Sequence, residues 1–521
     1  MQIQKIPFEA IHAFTPFFLD YIHQKESLKP FYNRFPTIEN FKDQLAEKSG
    51  SFPVQHREIL VASLLNQYEN VDKTDAVKAN LEKLKRPNTF TITTGHQLNI
   101  FTGPLYFIYK IVTVINTCKQ LKQAYPQHDF VPVYWMASED HDYDEIKSFR
   151  LYGKKYTWET KQQGAVGRFH TDDFKKLLSE LPGDITFFKE AYTKHKKLSE
   201  AVRYYVNALF GSEGLIVVDG DDHSLKKLFI PAIEDDLFEQ LHKPLVDQTD
   251  QALEANGYKT QIHCREINLF YLEDGLRSRI ERIGEKYSVV DTNISFTEVE
   301  LRELVQKYPE KFSPNVVLRP LYQEMILPNL AYVGGPAELV YWLQLKGIFD
   351  HHHIPFPMLM PRNFALIVDA PLARKFDKTG LNLEELFLPK DRLFNQAVLK
   401  TSTADLTLNG EKKAIEDYFS RIQENVTQID KTLGPLVGAE QQRVIKGLLR
   451  IEQKVLKAEK RKHADLLRQI EAVKDSLFPN GSLQERTDNF LNFAQTDQQF
   501  IPTLIQSLDP FDFSFSILRY A

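Results

Sequence analysis

Cysteine is nearly absent from this chain. Its 521 residues contain only Cys118 and Cys264, far apart on regularly patterned segments and matching no metal-ligand spacing. This excludes a cysteine-based metal motif and predicts two buried thiols in a protein of the reducing cytoplasm. An excess of one charge is lacking too: 65 Lys and Arg against 70 Asp and Glu give a formal net charge of −5. Without a global basic footprint, a mainly electrostatic nucleic-acid binder is excluded. Long hydrophobic runs are missing as well. The most apolar helical stretch, Leu105 to Ile115, is far shorter than the roughly 20 residues that span a bilayer, so it predicts a buried helix and no membrane partner. The opening MQIQKIPFEAIHAF has neither the cationic nor the continuous apolar region of an export signal, so a cytoplasmic location is expected. Neither GxGxxG nor a P-loop is found.

The remaining composition, 42% hydrophobic and 26% charged, is that of a globular protein, and the length implies two or three domains. Residues 1–85 read as polar-faced helices. Thr89 to Thr94 then reads as a strand, running through Gly95-His96-Gln97 and Thr102-Gly103-Pro104 into a long apolar helix ending near Leu121. Phe130 to Met136, Leu215 to Val218 and Pro357 to Met360 are further strand candidates, each closing on a polar loop. Short continuous apolar strands separated by helices predict a parallel sheet covered on both faces, with a ligand beyond the carboxyl ends of its strands. Phe149 to Trp158 and Ile267 to Ile283 read as β-hairpins, insertions that decorate that sheet rather than belong to it.

From about Asn409 the pattern becomes a heptad seam: Ile415, Phe419, Ile422, Val426, Ile429, Leu433 and Leu436. A second helix is expected from Glu440 to about Leu477, with a phase shift before Leu466, making an antiparallel hairpin punctuated by Gly434-Pro435.

The loop ASEDHDYDEI after the second strand places five carboxylates around His141. Hard cations want several oxygens and zinc wants nitrogen or sulfur, and this mixture commits to neither. The alternatives are an acidic cap on the next helix or a general base, His141, whose pKa the carboxylates would raise. Glu139, His141 and Asp142 are the catalytic candidates, expected to face the cleft, with Asp144 and Glu145 structural. Thr93 to Pro104, preceding a helix that carries Lys110, reads as a phosphate cradle or a plain strand-to-helix turn. Gly334-Gly335-Pro336 reads as a second helix start able to face an anion, or as a tight turn. His351-His352-His353 resembles a metal tract without fixed geometry, and no metal site is assigned.

Four pieces in order, TGHQ with FTGPLY, EDHD with Asp144-Glu145, SPNVVLRP and YVGGP, followed by LQER at 483–486, closely resemble the bacillithiol-biosynthesis cysteine-adding enzyme family, BshC. His96 departs from the glutamine common in that family. The resemblance implies an α/β fold: a Rossmann-like parallel sheet core with β-hairpin insertions, plus a C-terminal α-helical coiled-coil domain that supports a homodimer. Residues 1–85 would pack on a core spanning 86–400, with connecting segments at about 147–205 and 258–330. Residues 409–480 would form the coiled-coil hairpin, and 481–521 would return to the core. The implied reaction joins the carboxyl of L-cysteine to the amine of glucosaminyl malate. Amide formation from a free carboxylate is uphill, so ATP or ADP is expected as nucleotide, with magnesium. Gly95, His96, Gln97, Thr102, Gly103 and Asp140 are then candidates for nucleotide or cysteine. Asn315, Arg319, Gly334, Gly335 and Arg362 are candidates for the malate moiety, and Arg450, Lys454 and Arg486 for a second phosphate site. Competing readings are a substrate-presenting scaffold and a metal-dependent hydrolase built from the acidic loop and the three histidines.

Overall fold

The computed structural model describes residues 1–520. Its centre is a five-stranded sheet of β1 (Thr89–His96), β2 (Asp129–Met136), β3 (Ile216–Asp219), β4 (Asn329–Gly334) and β5 (Met358–Pro361). The spatial order is β5-β4-β1-β2-β3 and every pairing is parallel. Helix α1 (Tyr106–Ala124) crosses from β1 to β2 and packs on both. β1 and β2 run side by side in register from Thr89↔Asp129 to His96↔Met136, so the two polar loops that follow them emerge together.

The four expected strands are present. The fifth, β4, sits between two of them although its sequence NLAYVG reads only as an approach to the glycine pair. All six of its residues are buried, so it shows no alternation, and Asn329 at its head is a poor strand former. Burial is compatible with that asparagine because its Oδ1 accepts from the hydroxyls of Thr91 (3.1 Å) and Thr93 (2.8 Å) on β1, while Nδ2 donates to Glu324 at 2.6 Å. The strand follows helix α2 (Arg319–Ile326) and leads into α3 (Pro336–Trp342).

The first inserted hairpin pairs Ser148–Leu151 with Lys154–Thr157. Tyr152 and Gly153 both have positive φ, 50° and 78°, the geometry of a turn whose twist matches that of the strands. The second is larger than expected. Leu269–Glu273 and Leu276–Ile283 belong to a five-stranded antiparallel sheet completed by Lys286–Val289, Ser295–Thr297 and Phe312–Pro314. Those three strands are only three or four residues long, which hid them in the sequence.

Residues 1–85 lie against the core. Arg57 donates to the carbonyls of Leu84 (3.2 Å) and Thr89 (2.8 Å), and buried Lys48 pairs with buried Glu324 at 3.5 Å. The C-terminal hairpin consists of α4 (Asn409–Ile429), α5 (Gly434–Lys462) and α6 (Ala464–Leu477). Gly434-Pro435 opens α5 rather than separating two helices, because proline at the first turn forfeits no helical hydrogen bond. The helix breaks at His463, where the apolar pattern changes phase. The Lys412–Glu452 ion pair, 3.0 Å, confirms that α4 and α5 run antiparallel. The chain then returns to the core, where Phe515–Arg519 pairs with both Phe364–Val368 and Gln2–Ile6. No helix among the described residues is long and apolar enough to cross a membrane.

Candidate active site

A cleft of about 580 Å³ opens beyond the carboxyl ends of the strands. It lies where the chain leaves β1 in one direction and β4 in the other, the point at which open parallel sheets leave a crevice. The loops after β1, β2, β4 and β5 all reach it, joined by Phe270 and Arg277 from the antiparallel sheet and by Arg486 from the returning C-terminal segment.

One wall is an ion-pair network around α3. Lys110, buried within α1, places Nζ 2.6 Å from Glu338 Oε2 and donates to the carbonyl of Gly95 at 2.8 Å. Glu338 also accepts from the Tyr332 hydroxyl (2.8 Å) and from the Gly335 amide (2.7 Å). Burial would raise the Glu338 carboxyl, but Lys110 and these donors outweigh it and hold it below its ordinary value; burial pulls the Lys110 ammonium down. A Cβ at Gly95 would lie 3.1 Å from the Tyr332 hydroxyl and 3.4 Å from Arg319 Nη1, so glycine there lets both side chains close over the end of β1. Arg319 donates from Nη1 to Gln323 at 3.0 Å, and its buried Nη2 has no protein partner. His96 lines the same wall between Tyr106 and Phe107, with Nε2 unpartnered. Burial, with help from Lys110, lowers its pKa to about 3, so the ring stays neutral.

The acidic loop forms the facing wall. Glu139 Oε1 accepts from the fully buried Lys226 ammonium at 2.6 Å, while Oε2 has no hydrogen-bond partner among the described residues. Burial raises the Glu139 carboxyl, and Lys226 opposes that shift. Asp140 accepts from Gln97 Nε2 at 2.9 Å and from the His141 amide at 2.7 Å, tying the loops of β1 and β2 together. Ser138 donates its hydroxyl to Asp219 at the end of β3, whose carboxyl burial and neighbouring Asp221 push up to about 6.

His141 corrects the sequence reading. The carboxylates were expected to raise its pKa, but burial and the Arg277 guanidinium, 2.6 Å from Nδ1, lower it. A guanidinium only donates, so Nδ1 must accept and the neutral ring carries its proton on Nε2. The imidazole is therefore a hydrogen-bond donor with no free lone pair for a base, and contrary to expectation it is exposed and outside the cleft lining. Asp142 is exposed and outside the cleft lining.

Other expected residues divide similarly. Gly95, His96, Gln97, Asp140, Asn315, Arg319, Gly335 and Arg362 line the cleft. Thr102 and Gly103 do not: the 101–103 turn is sealed by Asn489, which donates to the carbonyls of Phe101 and Gly103 at 2.7 Å, and the Phe101 amide is taken by the Tyr192 hydroxyl. A phosphate cradle there is closed. Gly334 is buried in β4 beneath Leu339 and Glu338. Asn315 uses its side chain locally, accepting from the Val317 amide at 2.8 Å and donating to Asn268 at 3.1 Å. Arg362 is engaged with Glu485 through both terminal nitrogens, at 2.6 and 3.0 Å. Arg486 is exposed at the cleft, whereas Arg450 and Lys454 are exposed on α5 and take no part in its lining. His351 and His352 lie beside Asp235, and none of the three histidines joins the acidic loop in lining the cleft.

Lys110, Tyr332, Glu338, Lys226, Ser138 and Arg277 complete the site without having been singled out as site residues. Glu338 had a signal, standing three residues after Gly335 at capping-box spacing. Lys110 had a weaker one, a charge inside an apolar helical stripe. Arg277 reaches the cleft from a separate sheet, and no local pattern marks it.

Comparison with known proteins follows this division of the fold. The family profile described as "Bacillithiol biosynthesis BshC, N-terminal Rossmann-like domain" matches residues 1–363, and its C-terminal coiled-coil counterpart matches 365–520. The chain is similar to the "Putative cysteine ligase BshC" of Flavobacterium johnsoniae, 43% identical over 98% of this chain and 99% of the relative. Proteins of the same name from Cytophaga hutchinsonii (40% identical, 99% of both chains) and Chlorobaculum tepidum (30% identical, 87% and 86%) align as well.

Proposed function

The chain belongs to the BshC family of bacillithiol biosynthesis, and from that premise we propose that it is a ligase joining the carboxyl of L-cysteine to the amine of glucosaminyl malate in the cleft above β1 and β4. The observation that carries the reading is the cleft's division into two walls. Arg319, with a donor left unpartnered, stands in one wall as a group suited to a carboxylate, while Glu139 in the other offers an unpartnered carboxylate oxygen suited to an amine.

In this reading the malate carboxylates are held by Arg319. When bound, an ATP-type nucleotide with magnesium would supply the free energy for activating the cysteine carboxyl. Arg486, exposed at the mouth, is the chain's own candidate for the phosphate charge. Only a neutral amine attacks. The new C–N bond forms, the activating group leaves with its bonding pair, and Glu139 Oε2 accepts the amine proton. Lys226 keeps the Glu139 charge tolerable in a buried place, and the upward shift of the carboxyl brings it nearer to a working base.

The exposed apolar residues Leu436, Leu449 and Ile451 on α5 support a second copy of the chain as the hairpin's partner. The reading is tested by incubating the purified chain with L-cysteine, glucosaminyl malate, ATP and magnesium and following the amide product by mass spectrometry. Product that requires all three substrates is expected; its absence with well-folded protein would overturn the assignment.

A further inference from the structure

Away from the cleft, four side chains from three separate elements converge. Asp235 begins the π-helical turn Asp235–Glu239, and His242 begins the helix His242–Ala255. His351 ends the helix Lys346–His351, and His352 follows it. His351 Nε2 is 3.2 Å and His352 Nε2 is 3.8 Å from Asp235 Oδ2, and one ligand atom from each of these three residues lies within 4.8 Å of the others. Two ligands on bonds of about 2.1 Å around a tetrahedral zinc are separated by about 3.4 Å, so the spacing is that of ligands sharing one ion. His242, fully buried, sets its Nε2 2.8 Å from His352 Nε2.

The tautomers make this convergence informative. Buried Asp236 takes the Nδ1 side of His242 at 2.9 Å, and its other oxygen accepts from the Asn268 amide. A carboxylate on Nδ1 fixes the proton there and turns the lone pair of Nε2 outward, which is how metal-bound imidazoles are commonly oriented. With no ion, that lone pair accepts the Nε2–H of His352. With an ion, His352 carries its proton on Nδ1 instead and turns its Nε2 lone pair to the centre it shares with Asp235 and His351, releasing the contact to His242.

We propose that Asp235, His351 and His352 form a binding site for one divalent transition-metal ion of the zinc class, with His242 held against His352 as a supporting imidazole. Two imidazoles and one carboxylate select zinc over magnesium or calcium, which demand mostly oxygen. The three protein ligands tie the segment after β3 to the turn that precedes β5 and leave the fourth tetrahedral position to water.

The test uses the full chain, stripped with chelator and re-equilibrated with Zn²⁺ or Co²⁺. One zinc per chain should survive desalting, and Co²⁺ should give the intense visible absorption of a tetrahedral site. Asp235 and His351 are partly exposed, so Asp235→Asn and His351→Gln should fold with the apo melting temperature of the parent while weakening zinc at least 100-fold. His353→Gln, outside the ligand set, should bind as the parent does. Failure of the parent to retain zinc, a non-tetrahedral cobalt spectrum, or unchanged affinity in Asp235→Asn and His351→Gln would overturn the site.

Discussion

At the scale of single residues, the proposed function rests on groups whose hydrogen-bonding capacity is left over after the fold has used the rest. Arg319 keeps one unpartnered nitrogen. Replacing it by Ala should raise KM for glucosaminyl malate about 10- to 100-fold, the worth of a charge-assisted hydrogen bond, with a smaller change in KM for cysteine. Steady-state kinetics with each substrate varied separately checks this. Asp219 offers a pH test. Its carboxyl is shifted from 3.8 up to about 6, so between those values the folded chain holds a proton that the unfolded chain has lost. That contribution to stability is complete below pH 3.8 and lost as pH rises through about 6. Asp219→Asn should therefore melt higher than the parent above pH 6 and lose that advantage toward pH 4, measured by calorimetry across the range. The acidic loop was visible as a candidate in the sequence because five carboxylates around one histidine are unusual. Which of them reach the cleft was not visible, because that depends on Arg277 and Lys226, brought in from distant positions.

At the scale of elements, the cleft is built by loops that follow strands, and those loops are held by contacts of long sequence separation. The clearest is the Arg362–Glu485 pair, which anchors the returning C-terminal segment to the end of β5 with both partners nearly inaccessible. Arg362→Ala would leave Glu485 buried without a counter-charge and should cost about 3–5 kcal/mol in urea unfolding. Loss of substrate binding without that destabilisation would instead make Arg362 a ligand contact. The strands β1, β2, β3 and β5 and the two long helices of the hairpin were legible because each carries one sustained period or apolar run. β4 was not. Its asparagine head is explained only by the two threonine hydroxyls of the neighbouring strand, a partnership that local sequence does not encode.

At the scale of the whole molecule, a ligand cleft sits over a parallel sheet and a separate helical hairpin leaves apolar surface uncovered. α4 has no buried residue, and α5 exposes Leu436, Leu449 and Ile451. If a second copy covers them, Leu449→Glu combined with Ile451→Glu should convert a dimer to a monomer in sedimentation velocity and leave the core's melting transition in place; an unchanged sedimentation coefficient would place the dimer contact elsewhere or remove it. The two-part organisation was legible from the change of hydrophobic period near residue 409, whereas only the first hairpin of the antiparallel sheet over 269–314 was, since the other three strands are three or four residues long. The central claim is that Glu139 takes the amine proton in the cleft. Its most direct test is kcat/KM against pH for the parent and for Glu139→Gln, with glucosaminyl malate affinity measured in parallel. The account predicts that the parent rises with pH through an ionisation above the ordinary carboxylate range, and that Glu139→Gln loses at least about 100-fold in kcat with affinity kept within a few fold. Turnover by Glu139→Gln equal to the parent, with the same pH profile, would contradict it.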